Sequence, residues 1–428
     1  MNLPNLLFCN NDHYIQWYNS SNDFQRQRED LNLGDFLCSL KSISSDFPEE
    51  YLYKPCFKFD DATYRLNIMN ELFLSRELFS DLVGFNILLK HFSTDIKEYR
   101  DTKDEIQKKY RFLSLFREYG SLVRSLEKSL AGCASEGLSA LHRCTEEIMK
   151  SDCYKLLDQA DQLEYEISLI FKNNILSVNP IEKTITIHKR RGEQDSMERL
   201  SAMIREYFGI KIKDSFSIVD PAPISVLEKK LLDVLSLQYV DVFLRLESFY
   251  TENAGLIDCF VDFSNIHPQF EFYLTHIKLL SFLDGGISIC KPVFHNDGFF
   301  AKECTCPSLI ASFMNHKTPL DRIVRNDIEI RKGGMFLLSG PNQGGKTIYL
   351  KAVGLTAYLA KCGCLVFCKN CSLPFYDFIF THFMQPEVLG RGRLAEEVER
   401  IEAIASAITG QSFVLMNESF ASTRRKDA

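Results

Sequence analysis

The chain has 428 residues and a formal net charge of −7; hydrophobic residues make up 45% of it and charged ones 25%. This composition excludes disordered, collagenous and low-complexity proteins, and the length suits about three folding units. The acidic balance excludes a uniformly basic nucleic-acid coat and leaves room for a local basic patch.

The charge-free run at 403–417 is too short and too polar to span a bilayer, and residues 1–11 lack the basic n-region of a secretory leader. Fourteen cysteines without such a leader read as reduced thiols of a cytoplasmic protein, not as a disulfide framework.

In chain order, residues 64–130 carry apolar side chains at helical steps. Ile106, Tyr110, Leu113, Phe116, Val123, Leu126 and Leu130 form one face, with Lys, Arg and Glu opposite. Residues 153–171 give another amphipathic helix, and 225–249 a third, opened by Pro221, Pro223 and Ser225 as N-cap. Between these, 176–178, Thr184–His188 and 210–219 alternate with β-branched residues around a short helix at 197–208. The expectation is a helical region over 1–275 interrupted near 173–220 by a small mixed insertion. Lys189, Arg190 and Arg191, with Lys211 and Lys213, are the densest basic cluster on its strand-like segments. They read either as a solvated loop with charged flanks or as a tip that contacts phosphates.

Near residue 276 the texture changes to strand-like runs at 328–330, 335–339, 365–367, 375–382 and 413–416, alternating with helical ones at 347–361 and 394–409. The fold class expected is therefore α + α/β, with the α/β part over 276–428. Within it, Gly340-Pro341-Asn342-Gln343-Gly344-Gly345-Lys346-Thr347 fits the phosphate-loop pattern G-x-x-x-x-G-K-[ST], between a predicted strand at 335–338 and a helix stopped by Gly363. Glycines let successive N–H groups turn onto phosphate oxygens, and the helix N-terminus adds its positive end. Lys346 is expected to reach the β- and γ-phosphates of ATP, and Thr347 to offer its hydroxyl to Mg²⁺. The apolar strand at 413–416 ends in Asn417-Glu418. Glu418 is the candidate general base for the attacking water; Asn417 stands where many such sites hold hydrated Mg²⁺ with an Asp, so weaker metal affinity is expected. In the helix from 394, Leu394, Val398, Ile401, Ala405 and Ile408 make the predicted buried stripe. Glu397 lies at its edge, either snorkelling to solvent or aimed at a site.

Cys362, Cys364, Cys368 and Cys371 fall close together, but the ends of a helix and a strand would point their thiols apart, which favours structural thiols over a zinc site. His382, in an aromatic strand, reads as a packed histidine.

The loop SGPNQGGKT resembles TGPNMGGKST of the MutS family of DNA mismatch-repair ATPases. VRNDIEI at 324–330 resembles that family's VPNDIEL, CPSLI at 306–310 its HP-L-I stretch, 363–366 its G-S/C-F-V strand and IFTH at 379–382 its IFTRIG strand. FVLMNE at 413–418 resembles LVLMDE, and 392–398 lies where the family has STFMVEM, which puts its glutamate on Glu397. The likeness is specific over about 295–428; over the helices it rests on the order of lever, clamp and ATPase. It implies a P-loop ATPase of ABC type that binds ATP through 340–347 and Glu397, takes Mg²⁺ at Thr347 and Asn417, and works with Lys346 and Glu418 as catalytic residues. It also implies duplex DNA as partner, contacted through Lys189, Arg190 and Arg191, a homodimer joined through the ATPase domain, and no membrane.

The departures are specific. Phe47-Pro48-Glu49 has the bare Phe-x-Glu wedge pattern without the family's setting, so mismatch reading by intercalation is not expected. Arg424 stands where the family has a serine acting across the dimer, and the sequence stops at Ala428, which suggests a longer parent protein. The alternative function is a nucleotide-gated interaction protein, or an incomplete fragment, that binds ATP with little turnover.

Overall fold

Helical spacing in the first part of the chain becomes a run of helices in the computed structural model, which describes residues 3–20, 24–173, 175–179, 184–188, 212–213, 235–283, 286–310, 322–383 and 393–419. The first helices are α1 (Asn11–Asn19), α2 (Gln25–Leu31), α3 (Leu33–Ile43), α4 (Glu50–Tyr53) and α5 (Phe59–Leu74). Then come α6 (Arg76–Asp101), α7 (Glu105–Leu130), α8 (Glu136–Lys150), α9 (Asp152–Lys155) and α10 (Leu157–Asn173). A small sheet follows: β1 (Ile175–Asn179), β2 (Thr184–His188) and β3 (Ile212–Lys213), with β1–β2 antiparallel from Ile175↔His188 to Asn179↔Thr184. After α11 (Val240–Asn253), α12 (Ile257–Ser264) and α13 (His267–Phe282) come β4 (Val293–Phe294), β5 (Gly298–Cys304) and β6 (Asn326–Arg331). The last elements are α14 (Lys346–Lys361), β7 (Asn370–Leu373), β8 (Ile379–Phe383), α15 (Arg393–Ala407) and β9 (Phe413–Asn417). The chain is thus mostly helical with small sheets. Among the described residues no helix is long and apolar enough to cross a membrane.

By packing, the chain forms two units. One holds Gly84–Ser129 and His142–Asn265 with Met1–Leu3; the other holds Pro4–Val83, Leu130–Leu141 and Ile266–Ala428. In the first, the stripe of α7 behaves as its spacing predicts: Leu113, Phe116, Val123 and Leu126 are buried, with Ile106 and Tyr110 half-buried. Phe112, Phe116 and Tyr119 pack on Phe260, the Tyr119 and Phe260 ring centres 4.9 Å apart. Lys189, Arg190 and Arg191, the helix expected at 197–208 and the start of the one expected at 225–249 lie outside the described residues.

In the second unit α13 packs on α3 and α5. Strands β4-β7-β5-β6 form one sheet, β5 antiparallel to both neighbours, and β8 pairs parallel with β9 from Ile379↔Phe413 to Phe383↔Asn417. Helix α14 lies on α2, α5, β8 and β9. Gly354 permits this approach, since a Cβ there would run into Leu31 and come 3.1 Å from Leu415 Cδ1. The helix stops where its sequence predicts: Gly363 has φ 78°, its N–H bonds Ala360 O, and the Cys364 N–H reaches back to Leu359 O.

Three expectations fail here, the first at 365–367, where among the described residues the chain makes only a single bridge, Val366 to Cys290, and no strand. Residues 335–338 are not a strand: no ladder partner holds them among the described residues, and Met335 and Leu337 are 95% and 86% exposed. Apolar sequence alone does not make a strand, because each backbone group needs a neighbour to bond. Helix α15 is also turned from the predicted stripe. Val398 and Ile408 are 38% and 50% exposed and Ala405 is exposed, while Glu397 is buried at 7% and Arg400 half-buried. The polar partners of that face, described next, outweigh the apolar periodicity.

Candidate functional site

The loop at 340–345 is exposed along its length and leads directly into α14. Gln343 and Gly345 both have left-handed backbones, φ 65° and 83°, and Gly345 is the N-cap of the helix. Between them the Gly344 N–H bonds Pro341 O at 3.1 Å, and a Cβ on Gly344 would sit 3.0 Å from that same oxygen. The curl therefore requires its glycine for backbone proximity. Lys346 folds back over the curl, its Nζ donating to Gly340 O at 2.9 Å and Pro341 O at 2.8 Å. This sets an ammonium group beside the electropositive end of a helix, an arrangement suited to an anion.

Seventy residues on in sequence, β9 brings its end to the same helix: the Thr347 hydroxyl donates to Asn417 Oδ1 at 3.3 Å. A hydroxyl and an amide oxygen side by side can hold a metal ion directly and through its water. Glu418 follows, exposed, with φ 53°. A left-handed backbone at a residue with a Cβ costs of order 1 kcal/mol, and here it swings Glu418 and Ser419 off the strand line.

Ser419 is anchored. His382, buried at 1% and opposite Met416 in the β8–β9 register, has Nδ1 2.7 Å from Ser419 Oγ and Nε2 3.3 Å from the Glu397 carbonyl oxygen. A carbonyl can only accept, so Nε2 carries a hydrogen and donates to Glu397 O, while Nδ1 shares a hydrogen bond with the Ser419 hydroxyl. The sequence predicts a packed histidine at 382; it is buried, and it also ties α15 to the residue after Glu418. Arg400 makes a second tie: its Nη1 donates to Phe383 O at 2.9 Å, and its Nη2 pairs with Asp30 Oδ2 of α2 at 2.9 Å. The Phe383 N–H bonds that carboxylate oxygen too, at 3.3 Å. Sequence reasoning missed Asp30 and Arg400, which lie 370 residues apart in the chain and leave no local signal.

Thr347 and Asn417 are thus brought together, the Glu397 backbone carbonyl and the Ser419 hydroxyl are both held by His382, and Glu418 lies between Asn417 and Ser419 in the chain. Cys362, Cys364, Cys368 and Cys371 are buried free thiols, and burial pushes those of Cys362 and Cys364 well above the ordinary thiol range.

Comparison with known proteins covers the same segment. The family profile of MutS domain V matches residues 336–427. The DNA mismatch repair protein MSH3 of Lodderomyces elongisporus is 28% identical over 186 residues, 41% of this chain and 19% of that protein. The DNA mismatch repair proteins MutS of Fervidobacterium nodosum and Solibacter usitatus are 34% and 36% identical over 105 and 101 residues, each 23% of this chain and 12% of theirs. The chain spans about a fifth or less of the length of these relatives. Over residues 336–427, the segment that holds the loop, the Thr347–Asn417 pair and Glu418, the chain is similar to MutS domain V.

Proposed function

We propose that this chain is a MutS-type ATPase of DNA mismatch repair or a related DNA-maintenance process, coupling ATP to movement of helices on duplex DNA. The observation that carries the reading is the Thr347–Asn417 hydrogen bond, 3.3 Å long, beside a loop curled under Lys346. The residues fit a nucleoside triphosphate with Mg²⁺: a glycine-dependent curl at a helix N-terminus, one ammonium, and a hydroxyl–amide pair at a strand end.

In this reading the loop amides and Lys346 hold the phosphates of ATP and stabilise charge as it builds on the transferred group. Thr347 and, through water, Asn417 hold Mg²⁺, which offsets phosphate charge when bound. Glu418 accepts a proton from the attacking water as the water oxygen bonds the γ-phosphorus and the bond from that phosphorus to the β–γ bridging oxygen breaks, releasing ADP and inorganic phosphate. Glu397 joins the loop in binding ATP, and its backbone carbonyl is tied through His382 to Ser419, next to Glu418. Lys189, Arg190 and Arg191 supply DNA phosphate contacts, and the ATPase domain joins two copies.

Asn417 also favours a second reading, a nucleotide-gated binding protein with little turnover, because an amide brings no charge to the metal. Single-turnover hydrolysis of labelled ATP decides. The ATPase reading expects turnover that Glu418→Gln slows by about 100-fold or more. ATP binding without turnover supports the second reading, and a wild-type chain that binds no ATP overturns both. Duplex DNA affinity should fall steeply with salt, with a flatter slope once Lys189, Arg190 and Arg191 are neutralised.

A further inference from the structure

Away from the phosphate loop, a cysteine, a histidine and an aspartate meet at the start of two helices. Cys9 immediately precedes Asn10, whose side chain caps α1 by accepting the Asp12 N–H. His13 lies in the first turn of α1, and Asp61 in the first turn of α5 with its side chain only 2% exposed. The segment before Cys9 is fixed: Asn5 Oδ1 accepts the Leu7 and Phe8 N–H groups, Asn5 O accepts the Tyr64 hydroxyl, and Leu6, Leu7 and Phe8 are buried. The three side chains are therefore held before any ligand arrives.

Their donor atoms converge. Cys9 Sγ lies 3.2 Å from Asp61 Oδ1 and 3.8 Å from His13 Nδ1, and His13 Nδ1 lies 3.1 Å from Asp61 Oδ1. A tetrahedral zinc ion with ordinary bond lengths sets sulfur–oxygen and sulfur–nitrogen distances of about 3.6 Å and a nitrogen–oxygen distance of about 3.4 Å. Movements of a few tenths of an ångström reach that geometry. We propose that Cys9, His13 and Asp61 form a binding site for a zinc-class divalent cation, with water in the fourth position.

The donor set fits this class: thiolate and imidazole select zinc over calcium or magnesium, and one carboxylate completes a mixed set. The surroundings favour a cation. Burial and the hydrogen bond to Asp61, with smaller contributions from the charges of Asp61, Asp60 and Glu136, push the Cys9 thiol up to about 12. That makes Cys9 a poor free nucleophile. It also shares Asp61 with the same imidazole nitrogen that faces it, so the three do not form a nucleophile–base relay. On binding, the Cys9 thiol releases its proton to solvent, and any Nδ1 hydrogen on His13 gives way to the Nε2 tautomer. The bound ion would pin the start of α1 to the start of α5.

The test is zinc content of the full chain after equilibration with zinc ion and gel filtration, together with cobalt(II) titration read by the near-ultraviolet thiolate charge-transfer band. One zinc per chain and a cobalt band are expected, with Cys9→Ser and His13→Gln each weakening binding by at least about 100-fold. Cys9 is exposed, so its serine variant keeps the fold; an unchanged far-ultraviolet circular dichroism spectrum checks both variants. Cys371→Ser should bind as the wild type does. A wild-type chain without zinc or cobalt band, or undiminished binding in Cys9→Ser and His13→Gln, overturns the assignment.

Discussion

Thr347 and Asn417 are joined by a hydrogen bond of 3.3 Å, the point at which the helix opened by the 340–345 curl meets the end of β9. A neutral amide there limits the charge available to a metal. Asn417→Asp should tighten Mg²⁺ about tenfold, as expected for one added carboxylate near a hydrated divalent ion. Mg²⁺-dependence of ATP hydrolysis, or of ATP binding if turnover is slow, measures the shift; an unchanged or weaker dependence would remove Asn417 from the metal site.

Arg400, half-buried, pairs with the buried Asp30, whose carboxylate also binds the end of β8. Arg400→Met takes the cation from the buried Asp30 carboxylate, so it should cost about 3–5 kcal/mol in urea unfolding. The double variant Asp30→Leu, Arg400→Met should recover much of that loss. If the single and double variants unfold alike, the pair is not what holds the face of α15.

His276 gives a pH signature. It packs among Phe36, Phe47 and Phe272, with ring centres 5.5–5.9 Å away, and burial lowers its pKa from 6.5 to about 4. Above pH 6.5 the ring is neutral folded or unfolded, and its contribution to stability is complete. As pH falls from 6.5 towards 4, the unfolded chain takes up a proton that the folded chain refuses. Stability should drop by up to about 3 kcal/mol over that window, and His276→Phe should flatten the drop. Urea midpoints at pH 7 and 4.5 make the measurement; an equal pH slope in both proteins would contradict it.

What the sequence reveals about this site is what short-range chemistry fixes. The curl at 340–345, the helix it opens and the stop at Gly363 depend on glycines whose backbone angles no other residue adopts cheaply, so spacing alone locates them. Strands β8 and β9 are legible because their apolar alternation agrees with a buried pair. The stretch at 335–338 is as apolar, yet a strand is made by its neighbours and these lie beyond any local pattern. The buried face of α15 was misread for a related reason: Asp30, 370 residues from Arg400, supplies the charge that draws that face inward. Cys9, His13 and Asp61 escape notice likewise, since Asp61 joins the other two only after α1 and α5 have packed.

The central claim, that the curl under Lys346 binds the phosphates of ATP, is tested most directly by equilibrium binding of ATP to the wild type and to Lys346→Ala. Loss of the ammonium should weaken ATP by about 2–3 kcal/mol, or roughly 30- to 150-fold, as for other charged hydrogen-bond partners, while the circular dichroism spectrum stays unchanged. Equal ATP affinity in the two folded proteins would contradict the account.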